Sequence, residues 1–152
     1  MTYTVIHLTL SLIASNATGE MAMQALVLIA HGSRREASNQ EVKDLVSRLQ
    51  GTADSGFELI EAGFLELAEP SIPDAIEAAI ESGATSVVVV PYFLAAGRHV
   101  VEDIPRLVEP VAQRYAHVRV QISEHIGVAE AMLHLILDSA DSAAAVSRAQ
   151  GA

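Results

Sequence analysis

The chain has 152 residues, 51% hydrophobic and 18% charged, which is enough apolar material for one compact domain with a real core and excludes a disordered chain. Nine Lys and Arg stand against 19 Asp and Glu, a net charge of −10, which disfavours nucleic acid as a partner. The absence of cysteine removes disulfides, thiolate metal sites and cysteine nucleophiles, and fits a cytoplasmic protein.

Residues 1–22 contain a short apolar stretch with no lysine or arginine before it, a poor secretory signal. They read as an extension outside the fold. No run approaches the ~18 apolar residues of a membrane span, so no membrane partner is expected. The domain is expected over residues 23–139, with the Ala/Ser-rich residues 140–152 as a frayed helix or tail.

Between these ends, strand and helix signals alternate. "QALVLIA" (24–30) is continuously apolar, the pattern of a strand covered on both faces. Ser38-Asn39-Gln40-Glu41 reads as a capping box opening a helix. Val42, Leu45, Val46 and Leu49 form its apolar stripe, and Gly51 stops it. "FELIEAGF" (57–64) is a second strand. Ser71 caps a second helix, with Pro73 in its first turn, an Ile72, Ile76, Ala79, Ile80 stripe, and Gly83 at its close. "TSVVVVPY" (85–92) is the strongest strand in the chain. A third helix from about Asp103 has Pro105 in its first turn, and Pro110 is expected to kink or split it. "VRVQIS" (118–123) is a fourth strand, and Val128, Ala131, Met132, Leu135 and Ile136 line a last helix. The pattern predicts an α/β, three-layer fold: a four-stranded parallel sheet with helices on both faces.

In such sheets ligands bind beyond the carboxyl ends of the strands, where the winding reverses. A 2-1-3-4 order with right-handed crossovers makes the first and third strands neighbours at that point. The first ends directly before His31, and the third runs out through Gly97 to His99. Two imidazoles meeting in one crevice suit a divalent transition metal such as cobalt, iron, nickel or zinc. With only two protein ligands most coordination positions stay open, so the metal can be handed on. Free imidazole titrates near about pH 6.5, so such side chains also accept protons.

Arg34, Arg35 and Arg98 are three of only nine cationic side chains, and all flank these histidines. They suit the carboxylates of an anionic small molecule. Glu66, beyond the second strand, is the candidate metal-facing or proton-relaying carboxylate, whereas Asp103 reads as a helix cap. His7, His117 and His134 read as ordinary surface residues. His125, after the fourth strand, is left open as a border of the crevice.

At "LVLIAHGSR" (26–34), "FLELAEPSIPDAI" (64–76) and "VVVVPYFLAAGRHVVEDIP" (87–105) the sequence resembles the sirohydrochlorin chelatase family in its short single-domain form. The resemblance implies a chelatase-like domain, a flavodoxin-like half. It implies insertion of Co2+ or Fe2+, with Ni2+ also compatible, into sirohydrochlorin, an anionic tetrapyrrole, on the way to cobalamin or sirohaem. The family's metal-binding histidines fall on His31 and His99 and its acidic residue on Glu66, while Ser33, Arg34, Arg35 and Arg98 become the substrate-facing candidates. No nucleotide is implied, since the chain has no G-x-x-x-x-G-K-[ST] loop. Longer chelatases carry two similar halves facing across a cleft, so the resemblance implies a homodimer with the cleft between subunits. Pro110 and "SEHIGVAEAM" depart from the family pattern, which bears on the far wall of the pocket. Two rivals remain. A non-enzymatic metal carrier or sensor would use the same histidines. A histidine phosphatase would need arginine before His31, where this chain has Ala30.

Overall fold

The structure, a computed structural model, describes residues 22–52 and 55–150. All but the last residue of the expected extension over 1–22 lies outside them, as does His7. Strand β1 (Gln24–Ala30) leads to helix α1 (Glu36–Gln50), and β2 (Leu59–Phe64) to α2 (Ile72–Glu81). Strand β3 (Ser86–Pro91) leads through a π-helical turn (His99–Asp103) into α3 (Ile104–Arg114). Strand β4 (Arg119–Ile122), a 3-10 turn (Ile126–Val128) and α4 (Ala131–Gln150) complete the described chain. The four strands form one parallel sheet in the order β2-β1-β3-β4, as the alternating pattern predicts.

Alternation along the strands divides the core between the two faces. On one, Val27, Ile29, Val87 and Val89 are fully buried against Ile72 and Ile76 of α2 and Ile104 and Val108 of α3. On the other, Leu28, Ala30, Ile60 and Phe64 pack with Val46, Val42, Leu45 and Leu49 of α1. Burying each large aliphatic side chain contributes roughly 1.5–3 kcal/mol, so the apolar stripes hold α1 and α2 in place. The α2 start is as expected: Ser71 Oγ accepts from the Asp74 N–H, and proline occupies the first turn.

Three local expectations are corrected. Helix α1 begins at Glu36 after Arg35, with no side-chain cap, so Ser38 lies in its first turn and the capping box does not form. The reason is Asn39, the one buried polar residue among those described, whose carboxamide turns inward to hold the preceding loop. Pro110 does not split α3, which continues to Arg114. Pro110 is exposed, so the carbonyl it leaves without an N–H partner faces water. Finally, Val128 lies in the 3-10 turn, and Leu135 and Ile136 do not form a buried stripe: each is 58% exposed on a helix standing off the sheet.

Candidate metal centre

The site begins where the sheet's ladder outruns its strands. The N–H of Leu65 donates to the Ala30 carbonyl at 2.9 Å, and that of Glu66 to the His31 carbonyl at 3.0 Å. The segments that follow β1 and β2 are thereby carried together past the sheet edge. Gly32 makes the approach possible. Its φ is +88°, and a Cβ there would fall 1.8 Å from the Glu66 carbonyl oxygen. The outcome is a contact between His31 Nε2 and Glu66 Oε1 at 3.4 Å.

The Ser33 loop is fixed from below. Asn39 Oδ1 accepts from the Ser33 N–H at 2.9 Å, and its Nδ2 donates to the Ser33 carbonyl at 2.8 Å. Ser33 Oγ accepts from the Arg35 N–H at 3.0 Å, closing the turn into α1. Sequence reasoning passed over Asn39, because only burial distinguishes this amide from a surface one.

His99 arrives from β3. Its carbonyl accepts from the Ile104 N–H, five residues on, which makes the turn π-helical, a geometry rare in proteins and frequent at functional sites. One turn later, Asp103 Oδ2 lies 2.9 Å from His99 Nδ1, and Asp103 Oδ1 accepts from Arg106 Nη2 at 3.0 Å. Asp103 makes no cap bond, so the expected cap is corrected: it is the partner of His99. The His-x-x-x-Asp spacing, i to i+4 on a helical turn, was the available signal.

The two rings meet as the sheet order demands. The centroids of His31 and His99 are 4.9 Å apart, with planes at 80°. A carboxylate only accepts, so His99 Nδ1 donates to Asp103 and Nε2 keeps its lone pair. His31 Nδ1 likewise lies 3.1 Å from the Gly32 carbonyl, which leaves its Nε2 lone pair toward Glu66. A lone pair facing a carboxylate at 3.4 Å calls for a proton or a cation between them. Among the described residues no three His, Asp or Glu side chains form a ready-made metal cage. The arrangement is an open imidazole pair with one carboxylate beside it, suited to transient metal binding and proton acceptance.

Arg34 and Arg35 are exposed in the loop between β1 and α1, and among the described residues neither enters an ion pair. Arg98 is exposed beside the π turn and pairs with Glu102 at 3.3 Å. His125 precedes the 3-10 turn, His117 lies by the Tyr115 ring, and His134 is exposed on α4. Four exposed apolar side chains were not anticipated: Leu67 after β2, Tyr92 and Leu94 after β3, and Val101 in the π turn are 44–73% exposed. A hollow of about 290 Å³ beside β2 includes Glu66, Leu67 and Phe64 but neither histidine, so it adjoins the imidazole pair without containing it.

The CbiX family model matches residues 25–143, which takes in every element from β1 into α4. The chain belongs to the CbiX family. The sirohydrochlorin cobaltochelatase of Methanopyrus kandleri is 45% identical over 85 residues, 56% of this chain and 58% of that protein. The sirohydrochlorin cobaltochelatase of Sulfolobus acidocaldarius is 32% identical over 124 residues, 82% of this chain and 95% of that protein. Among solved structures, SirB from Bacillus subtilis with Fe3+ superposes with a TM-score of 0.65 at 35% identity, covering 71% of this chain and 42% of that one. The chain thus spans less than two thirds of the M. kandleri relative and less than half of SirB.

Proposed function

We propose that this chain is a sirohydrochlorin chelatase, a lyase that inserts Co2+ or Fe2+ into the tetrapyrrole without ATP in cobalamin or sirohaem formation; Ni2+ also suits its ligands. The observation that carries this reading is the convergence of His31 and His99, with ring centroids 4.9 Å apart and Glu66 alongside. The relatives' names, sirohydrochlorin cobaltochelatase, support the substrate.

In this reading the incoming metal is held by the Nε2 atoms of His31 and His99, with its remaining positions open to water and then to pyrrole nitrogens. Two N–H protons leave the macrocycle as one divalent ion enters, so charge balances. Glu66, 3.4 Å from His31 Nε2, takes a proton as the metal departs. The imidazole that has lost its metal can take the other. The exposed Leu67, Tyr92, Leu94 and Val101 offer apolar contacts to the macrocycle's face, while Ser33, Arg34 and Arg35 of one loop and Arg98 of another meet its carboxylate rim. Rate comes from positioning metal and ring together, not from a covalent intermediate.

A single sheet end supplies one wall, and a second copy related by a two-fold axis supplies the other, giving a homodimer. No described helix is long and apolar enough to cross a membrane, and the chain carries a net charge of −10. The reading therefore includes action in the cytoplasm without membrane or nucleic-acid partners.

The test mixes protein, sirohydrochlorin and Co2+ or Fe2+ while the visible spectrum is followed. The expected result is insertion faster than in the protein-free control, abolished by His31→Ala or His99→Ala and indifferent to ATP. A rate equal to the control, with the metal still bound, would assign the chain to metal carriage instead.

A further inference from the structure

Helix α4 is out of place for a chain this size. Leu133, Leu135, Ile136 and Leu137 are 58–61% exposed, and within the chain the helix packs on the Ile126–Val128 turn. Its first two turns, "AMLHLIL", are apolar nearly all round, the pattern of a helix buried on every side.

The sheet has a complementary defect. On the α1 face, Leu28, Ile60 and Phe64 of β1 and β2 are covered, but Val88 and Val90 of β3 are only half-buried. Their neighbours Val87 and Val89, which face α2 and α3, are fully buried. Register places Gln121 beside Val88 and Arg119 beside Ser86 on the same uncovered face, and both are exposed. Among the described residues this layer lacks one helix.

We infer that α4 of one copy lies on the uncovered β3–β4 face of a second copy, so that the homodimer is built by exchanging this helix. The inference rests on the homodimer proposed above and specifies its interface. Lengths and charges agree. In a doubly wound layer, helices run antiparallel to the strands. At ~1.5 Å per residue, Asp138 and Asp141 lie about 10–15 Å beyond Ala131. At ~3.3 Å per residue, Arg119 lies about 10 Å back from Ile122. With "AMLHLIL" over Val88 and Val90, the two aspartates reach Arg119, an exposed cation that enters no ion pair among the described residues.

A second copy is favoured over the chain's own sheet because the lead into α4 has no slack. The Gly127 N–H donates to the Phe93 carbonyl at 3.0 Å, and a Cβ on Gly127 would fall 1.9 Å from the Leu94 carbonyl oxygen. The turn is therefore pressed against the loop after β3. The Ala129 N–H then bonds the Ile126 carbonyl, and α4 begins two residues later. The direction of α4 is set before it can fold back. SirB, of which this chain covers 42%, has room in one polypeptide for two such units.

The cysteine-free sequence allows a direct test on the full chain. Val90→Cys with a purification tag and untagged Ile136→Cys are mixed, allowed to exchange and oxidised, and the Val90→Cys/Ile136→Cys double variant is oxidised alone. The expected products are a tagged–untagged cross-linked pair and a two-chain species from the double variant. As a second arm, Leu135→Lys/Ile136→Lys is expected to elute at one-chain mass. A disulfide within one chain overturns the exchange. So does a dimer that persists without any cross-link and survives the lysine substitutions. Elution of the unaltered protein at one-chain mass overturns the homodimer itself.

Discussion

Asp103 Oδ2 lies 2.9 Å from His99 Nδ1, and this pairing decides which nitrogen of His99 faces the crevice. The carboxylate is only 14% exposed and is itself gripped by Arg106, so its orientation is well defined. A carboxylate behind a metal-binding imidazole fixes the ring's tautomer and orientation. Replacing Asp103 by Ala is therefore predicted to weaken Co2+ binding about 10–100-fold, with Asn intermediate, measured by titration calorimetry. Unchanged affinity in the Ala variant would remove Asp103 from the site.

Glu66 is predicted to matter more for proton removal than for metal capture. Glu66→Gln keeps the shape of the side chain but cannot accept a pyrrole proton. Insertion is expected to slow about 10²-fold while Co2+ affinity falls much less. Equal losses in both would make Glu66 a ligand and not a base.

Gly32 is predicted to be intolerant of any side chain. At φ +88° and with a Cβ 1.8 Å from the Glu66 carbonyl oxygen, Gly32→Ala must separate the β1 and β2 loops. It should cost on the order of 2 kcal/mol or more in unfolding free energy and raise the KM for metal, checked by denaturant melts and initial rates. The control Gly97→Ala meets nothing within 4 Å and should be benign to stability.

Asn39 is 2% exposed and spends its carboxamide on the backbone of Ser33. Asn39→Ala leaves that loop's polar groups without their buried partner, a loss of about 1–3 kcal/mol. The melting temperature should fall, and Arg34 and Arg35 should exchange amide hydrogens faster by mass spectrometry.

Metal and proton compete for the same nitrogens. Co2+ affinity is predicted to be lower at pH 5 than at pH 8, because a protonated imidazole offers no lone pair. Flat affinity across that range would mean that carboxylates hold the ion.

The sheet and the meeting of His31 with His99 were legible because each signal was local or topological. A strand covered on both faces shows as an unbroken apolar run at 24–30, and the 2-1-3-4 order then leaves little choice about which loops adjoin. Helix α2 was legible because serine and proline act within one turn. Asn39 was passed over inside the expected capping box and Asp103 was misread as a cap, for a shared reason. Both residue types favour helix starts, and only the three-dimensional neighbours, Ser33 and His99, reveal the other use. The placement of α4 was illegible because periodicity reports that a face is apolar, never which surface covers it.

Metal capture depends on His31 and His99 gripping one ion together. Cobalt-edge X-ray absorption on protein loaded with a single equivalent of Co2+ tests this most directly. Two imidazole rings in the first coordination sphere, falling to one in either His31→Ala or His99→Ala, is the predicted result. A sphere made only of oxygen atoms, unchanged by both substitutions, would contradict it.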